Sequence, residues 1–213
     1  MIYDIDIAKQ VAKSLLQINA IILQPNNPFK WAAGWNSPIY CDNRKTLSYP
    51  EIRTNIKQGL SAIIKKHYKG ANLIAGVATA GIPHGALVAE ELGLPFIYVR
   101  AKAKEHGKQN QIEGCFEEGQ SVVLVEDLIS SGKSSLEAAV ILRESGMNIK
   151  GIVSIFTYGF DEATKNFKAN DCEYVSLCDY NTLLPQAIES QYIEESDLSI
   201  LKEWKENPSI WKK

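Results

Sequence analysis

Two adjacent carboxylates, Glu126 and Asp127, follow a run of apolar, strand-forming residues at 122–125. A helical pattern begins at Leu136, and between the acids and the helix four serines surround a glycine: Ser130, Ser131, Gly132, Ser134 and Ser135. Open α/β sheets bind ligands at the carboxyl ends of their strands. The unpaired N–H groups of a helix start favour a phosphate, and carboxylates suit sugar hydroxyls or hydrated Mg²⁺. This segment therefore predicts a site for a ligand with a phosphate and a hydroxylated sugar.

The same segment also partly fits two other kinds of structure, a nucleotide-triphosphate loop and a capped helix start. Gly132, Lys133 and Ser134 complete the second half of a nucleotide-triphosphate loop, but that motif requires a glycine where this chain has Asp127. A carboxylate there would repel the phosphates that the loop must enclose. The other alternative is an acidic strand end with a serine helix cap, yet a cap needs one hydroxyl and this loop supplies four.

A polar stretch at 100–119 separates two predicted strands and carries Arg100, Lys104 and His106 within seven residues, beside Gly107. Long polar loops with glycines between buried strands are often functional or mobile. The alternative is an ordinary solvated, lysine-rich loop.

Residues 76–83 connect a predicted strand to a predicted helix through small residues, and the helix has a proline in its first turn. Small side chains allow an anion to approach the backbone closely.

Three segments together resemble one family, the type I phosphoribosyltransferases, and within it the orotate-specific branch. Residues 122–135 resemble the family's phosphoribosyl-diphosphate loop, 100–107 with 111–114 resemble its mobile catalytic loop, and 29–44 resemble its base-recognition segment. The resemblance covers nearly the whole chain in the expected order. It implies transfer of a phosphoribosyl group from phosphoribosyl diphosphate (PRPP) to orotate, giving orotidine 5′-monophosphate and diphosphate, with Mg²⁺ as cofactor.

The resemblance also assigns roles to residues. It implies that Lys104, Asp127 and Glu126 are catalytic and that Mg²⁺ binds mainly through the substrate, without direct protein ligands. The implied PRPP-binding residues are Arg100, Lys104, His106, Glu126, Asp127, Leu128, Ile129, Ser130, Ser131, Gly132, Lys133 and Ser134. The implied diphosphate loop is Thr79, Ala80 and Gly81, and the implied orotate-binding residues are Ser130, Tyr40 and Arg44.

The chain departs from better-known members at a few positions. Ala32, Ala80 and Ala101 stand where those members carry lysines near the donor, and Gly159 stands where some carry an arginine that meets orotate. Lys102 is a candidate to compensate for Ala101. Two alternatives therefore stay open: a phosphoribosyltransferase for another base, or a non-catalytic regulator that senses the donor. The segment 29–44 distinguishes the bases, and the retained Lys104 and His106 favour an enzyme.

Composition limits the class of protein. The chain has 213 residues and a net charge of −2 with both signs dispersed, so no basic face for nucleic acid is expected. No apolar run approaches the length that spans a bilayer, and the N-terminus lacks the layout of a signal peptide. We expect a cytoplasmic protein with four reduced cysteines and no structural metal.

The periodicity predicts helices at 4–23 and from 51 to about 68, followed by alternating strands and helices, with strands at 73–78, 95–99, 122–125, 149–156 and around 174–177. This alternation predicts an α/β fold with a parallel, Rossmann-like sheet and helices on both faces. We expect one phosphoribosyltransferase domain over 1–213 with its core at about 70–180. Residues 1–47 would form a small N-terminal hood over the sheet's carboxyl edge, with C-terminal helices packed alongside. The resemblance implies a homodimer in which loop 100–114 reaches the neighbouring subunit's site.

Overall fold

A computed structural model describes residues 1–31, 34–102 and 111–211. Its strands, in chain order, are β1 (Ile21–Leu23), β2 (Phe29–Lys30), β3 (Asn36–Ser37), β4 (Ile39–Cys41), β5 (Leu73–Val77), β6 (Phe96–Val99), β7 (Ile112–Glu113), β8 (Ser121–Ile129), β9 (Asn148–Thr157) and β10 (Tyr174–Asp179). Its α-helices are α1 (Ile5–Gln17), α2 (Pro50–His67), α3 (Gly81–Leu92), α4 (Lys133–Glu144), α5 (Asp161–Ala169), α6 (Tyr180–Glu189) and α7 (Leu198–Glu206).

The central sheet has six strands in the order β10-β9-β8-β5-β6-β7. All pairs are parallel except β6 with β7, where β7 runs antiparallel at one edge. The predicted parallel α/β sheet is therefore confirmed. The edge strand β7 was not predicted, because two residues within a polar stretch carry too little periodicity to indicate a strand.

Each face of the sheet is covered by helices because successive side chains of a strand point to opposite faces. Along β8, Val123 and Val125 join a core with α1, α2 and α3, whereas Val122 and Leu124 join a second core with α4 and α5. A strand buried on both faces has a continuous apolar run instead of alternation, as at 122–125. Helices on both faces are therefore confirmed.

The first helix is shorter than the sequence predicted. The expected helix 4–23 ends at Gln17, Asn19 adopts the left-handed conformation with φ of 53°, and the chain enters β1 at Ile21. The apolar spacing that includes Ile18 and Ile22 fits both a helix and a short buried strand, so periodicity alone placed the end too late. Pro25 and Pro28, which would be expected to end a helix over 4–23, lie beyond β1.

The strand that carries the paired acids is longer than predicted. The sequence indicated a strand at 122–125 and a helix from 136, but β8 continues to Ile129 and α4 begins at Lys133. The connecting loop is therefore only residues 130–132. Leu128 and Ile129, predicted to lie in the loop, pair with Phe156 and Thr157 of β9. The polar side chains of Glu126 and Asp127 interrupt the apolar run that predicts a strand, although the backbone continues to pair with β9 as far as Ile129.

The N-terminal part packs at the carboxyl edge of the sheet. We call residues 29–48, apart from 32 and 33, the hood segment; it contains β2 paired with β3, then β4, which pairs with β1, and the 3-10 turn Asn43–Ser48. The helix α1 packs on α6 and β10. No helix among the described residues is both long and apolar enough to cross a membrane.

Candidate active site

A cavity of about 320 Å³ lies where the carboxyl ends of β5 and β8 meet the hood segment. It is lined by residues from three parts of the chain: Cys41, Asp42, Arg44, Ala78, Thr79, Ala80, Glu126, Asp127, Leu128 and Ser134. The structure thus brings together the paired acids, the diphosphate loop and Arg44, which the sequence had assigned to one site.

Glu126 is buried and held by hydrogen bonds on both carboxylate oxygens. The Asp127 N–H donates to Oε1 at 3.0 Å, and the Ser135 hydroxyl donates to Oε2 at 3.1 Å. Burial, followed by the nearby charge of Asp127, raises the pKa of the Glu126 carboxyl well above its ordinary value. Burial also raises the pKa of Asp127. A ligand with hydroxyl donors or a cation in this cavity would therefore favour the charged forms of both carboxyls.

The hood side of the cavity is organised by Asp42. Its Oδ1 accepts hydrogen bonds from the Arg44 backbone N–H at 3.3 Å and from the Arg44 Nε at 2.6 Å. The hydrogen bond from the Arg44 side chain is the main reason why the pKa of Asp42 is lowered. The Arg44 side chain is largely exposed at the cavity rim, so it is in a position to meet an anionic ligand.

A buried amide joins the hood segment to the acidic pair. Asn43 is fully buried, and its Nδ2 donates to the Asp127 carbonyl oxygen at 2.8 Å. Its Oδ1 accepts from the Cys41 thiol at 3.5 Å. Asn43 lies within the segment 29–44 that resembles the base-recognition segment, but nothing in the sequence signals a bond across 84 positions.

The diphosphate loop leaves β5 through Ala78, whose peptide bond to Thr79 is cis, and enters α3 at Gly81. A Cβ atom at Gly81 would lie 2.3 Å from the Val125 carbonyl oxygen in β8. Only glycine fits this contact, which brings Thr79 and Ala80 beside Glu126. The small residues that predicted an anion loop therefore also allow close packing against β8.

The loop between β8 and α4 turns at Gly132, which has φ of 79° and faces the buried ring of Phe167. Asn166 Nδ2 donates to the Ser131 carbonyl at 3.0 Å and holds the loop from α5. The N-cap residue of α4 is Gly132, which has no side chain to cap the helix, so the first N–H groups of α4 are available to an anion. Ser130 is half-buried beside this turn, and Ile129 is buried beneath it.

A larger cavity of about 620 Å³ borders α4 and shares Ala78 and Ser134 with the first. Four predicted donor-binding residues line this cavity: Arg100, Ser131, Lys133 and the shared Ser134. An Arg100 Nη1 atom lies 3.7 Å from Glu113 Oε1, and the Lys133 amine is exposed near Glu137. Within one chain, Arg100 and Lys133 therefore line a different cavity from the one that contains Glu126 and Asp127.

The remaining assigned residues divide into two groups. Tyr40 lies on β4, partly exposed, with its ring 5.6 Å from that of Phe29. Lys104 and His106, like Ala32, lie outside the described residues.

Three residues line the cavity with the paired acids although the sequence assigned them no role: Cys41, Asp42 and Ala78. For Asp42 a signal was present, because a carboxylate two positions from Arg44 can pair with it.

Comparison with known proteins identifies the family. A model of the phosphoribosyl transferase domain matches residues 48–182. An orotate phosphoribosyltransferase of Cytophaga hutchinsonii is 53% identical over 205 residues, which cover 96% of this chain and 98% of that protein. The chain belongs to the orotate phosphoribosyltransferase family. The corresponding enzyme of Bacillus subtilis is 53% identical over 203 residues, covering 95% of this chain and 94% of that protein.

The orotate phosphoribosyltransferase fold is also found by comparison of structures. The crystal structure of orotate phosphoribosyltransferase from Aeropyrum pernix matches with a TM-score of 0.75 at 26% identity, covering 86% of this chain and 99% of that one. The predicted type I phosphoribosyltransferase fold is therefore confirmed. The family-level resemblance of the three sequence segments is confirmed as well.

Proposed function

We propose that this protein is an orotate phosphoribosyltransferase of pyrimidine (UMP) synthesis. It transfers the 5-phosphoribosyl group from 5-phospho-α-D-ribose 1-diphosphate to orotate, giving orotidine 5′-monophosphate and diphosphate. The observation that carries this proposal is the identity of about half of all residues to curated enzymes of this name over nearly their whole length. The acidic cavity beside an uncapped helix start supports it independently, because the donor offers both ribose hydroxyls and a phosphate.

The reaction displaces diphosphate at an anomeric carbon, so positive charge develops on the ribose ring and negative charge on the leaving group. In our proposal, Glu126 and Asp127 bind the ribose hydroxyls and stabilise the positive ring, since both line the cavity. The N–H groups and hydroxyls of residues 130–134 hold the 5′-phosphate, while Thr79 and Ala80 face the diphosphate. Tyr40, Arg44 and Ser130 are our candidates for contacts with orotate.

We propose Lys104 as the main catalytic cation, with Arg100 and His106 as further donor-binding groups. A cation placed beside the departing diphosphate neutralises charge that appears only in the transition state, which is where binding energy accelerates a reaction. The motif Arg-x-x-x-Lys-x-His supports this assignment through its resemblance to the family's catalytic loop. Lys102 is the candidate to replace a cation absent at Ala101.

Mg²⁺ is the cofactor in this proposal. The cavity lining includes carboxylate oxygens of the kind that Mg²⁺ prefers, from Asp42, Glu126 and Asp127, together with the Cys41 thiol. Within residues 1–31, 34–102 and 111–211 no group of three or more His, Cys, Asp or Glu residues is arranged to hold a metal. We therefore propose that the ion arrives with the donor, where it neutralises diphosphate charge. We also propose a cytoplasmic location, which the four free cysteines support.

We further propose a homodimer in which loop 100–114 completes the neighbouring site. The position of Arg100 supports this arrangement, because its side chain lines the larger cavity and not the cavity with the paired acids. Closed two-fold dimers are also the commonest assembly of soluble enzymes.

The test of the proposed function is an assay with a panel of bases. Purified protein, PRPP and Mg²⁺ are mixed with orotate, uracil, adenine or hypoxanthine, and the nucleotide product is identified by mass spectrometry. Orotidine 5′-monophosphate is the expected product. Turnover of adenine or hypoxanthine instead of orotate would support the alternative of another base, and binding of PRPP without any turnover would support the regulator.

A further inference from the structure

An aromatic cluster connects the C-terminal helix α7 to the hood segment. Its centre is Trp204, which is fully buried. Four rings surround the indole with centroid distances from 5.4 to 5.7 Å: Trp31, Tyr158, Phe160 and Tyr180. The contacts with Trp31, Tyr158 and Phe160 are edge-to-face, which is a favourable arrangement for aromatic rings. Trp204 thus occupies the junction between α7, the hood segment and the end of β9.

Two indole N–H groups fix the backbone of the hood segment. Trp204 Nε1 donates to the carbonyl oxygen of Asn36 in β3 at 3.2 Å, across 168 positions of sequence. Trp31 Nε1 donates to the carbonyl oxygen of Ile39 in β4 at 3.1 Å. Because Trp31 packs on Trp204, both bonds depend on the position of the same buried indole.

The fixed backbone leads directly into the acidic cavity. The strand β4 ends at Cys41, and Cys41, Asp42 and Arg44 line the cavity opposite Glu126 and Asp127. On its other side Trp204 contacts Tyr158 and Phe160, which follow β9 at the carboxyl edge of the sheet. The indole therefore sets the position of the hood residues relative to the strand ends that carry the acids.

We propose that Trp204 is a positioning residue for the base side of the site, acting through the hood segment without touching the substrates. This inference rests on the proposed function for its kinetic prediction. The donor side is built from β8, the turn into α4 and the loop after β5, whereas the rings around Trp204 lie in the hood segment, after β9 and at the start of α6. Loss of the indole should therefore raise the KM for orotate more than the KM for PRPP.

The test compares Trp204→Phe, which keeps a ring and loses the N–H, with Trp204→Leu, which loses both. We expect Trp204→Leu to raise the orotate KM about tenfold, as expected for the loss of about one buried interaction, and to change the PRPP KM less than threefold. Trp204→Phe should show a smaller rise in the same direction. It also keeps the proposal testable if the leucine variant does not fold.

Two control variants separate positioning from loss of stability. Ile63→Ala removes a fully buried side chain of α2, and Tyr68→Phe removes one hydroxyl that donates to the Ile152 carbonyl. Both should lower the melting temperature without changing the ratio of the two KM values. If Trp204→Leu changes both KM values equally, or neither, the proposal is overturned.

Amide hydrogen exchange supplies a readout that does not depend on the substrate. Exchange at residues 36–41 should be faster in Trp204→Leu than in the wild-type protein, and unchanged in Ile63→Ala at matched global stability. Equal protection of these residues in both variants would overturn the positioning role. If exchange responds as expected but orotate is not a substrate, the proposed function fails while the positioning of the hood segment stands.

Discussion

At the scale of single residues, the central feature is a pair of adjacent acids whose pKa values are raised by burial. Both residues line one cavity although they are neighbours in a continuous strand. For Glu126 the raised pKa follows from desolvation first and from the nearby charge of Asp127 second, whereas for Asp127 desolvation is the largest cause. Binding sites commonly carry such perturbed groups, since a ligand can relieve what the empty protein cannot.

Glu126→Gln should stabilise the empty protein at high pH. The folded-state pKa of Glu126 lies above its ordinary value of 4.5, so the folded state binds more protons than the unfolded state, and stability falls as pH rises above about 4.5. The glutamine variant lacks this loss. Thermal unfolding should show equal melting temperatures near pH 4 and a variant at least about 2 °C more stable at pH 8. A constant difference across this range would contradict the assigned pKa shift.

Asp127→Asn should impair catalysis without impairing folding. The substitution removes a carboxylate from the cavity but keeps the backbone carbonyl that accepts from Asn43. Turnover should fall by roughly 10²-fold or more, as for loss of a preorganised electrostatic group, while the melting temperature stays within a few degrees. Steady-state kinetics and calorimetry on the same preparation provide the measurement. Normal kinetics with a large drop in melting temperature would assign Asp127 a structural role instead.

At the scale of elements, the turn from β8 into α4 leaves no space for a side chain at Gly132. A Cβ on Gly132 would lie 2.3 Å from Cε2 of Phe167, and the residue has a left-handed φ of 79°. Phe167 is itself fixed against Tyr174, with ring centroids 4.4 Å apart. The helix start that faces the proposed phosphate therefore depends on an aromatic ring in α5.

Gly132→Ala should lower the free energy of unfolding by roughly 2 kcal/mol or more, because the contact and the left-handed conformation both oppose a Cβ atom. Combining it with Phe167→Leu should relieve the contact but not the conformational cost. Urea denaturation of the wild type, both single variants and the double variant should give a coupling of about 0.5–3 kcal/mol. Strict additivity would show that Phe167 does not limit the space at this turn.

The bounds of strands were predicted well where the apolar run is as long as the strand. They were predicted poorly where a strand continues through polar residues. The strands at 73–78 and 149–156 were predicted close to their observed bounds, because their apolar runs coincide with the ladder. The end of β8 was predicted four residues too early, at 125 instead of 129, since its last residues include the acids. Asn19, which is left-handed after α1, is a residue type that can end a helix, but the apolar spacing through Ile18 and Ile22 outweighed this signal.

At the scale of the whole molecule, distant segments complete the site. Parallel strand ends necessarily share one edge, so the sequence could predict that the acids and the diphosphate loop converge. It could not predict the bonds from Asn43 to Asp127 or from Trp204 to Asn36, because these depend on how the hood segment and α7 pack. The fold class and family followed from motifs, whereas the connections that position the hood required the structure.

The proposed exchange of loops between subunits predicts complementation. Lys104→Ala and Asp127→Asn should each be nearly inactive as homodimers. A mixed dimer would contain one site with an intact acid and an intact partner loop, so equal mixing with subunit exchange should restore about a quarter of wild-type activity. Activity that remains at the mean of the two parents after confirmed exchange would show that Lys104 serves its own subunit.

The most direct test of the account is a crystal structure with ribose 5-phosphate bound. The account predicts the phosphate at the N–H groups of residues 130–134 and the ribose hydroxyls within hydrogen-bond distance of Glu126 or Asp127. A ligand bound elsewhere, with the turn between β8 and α4 empty at saturating concentration, would contradict it.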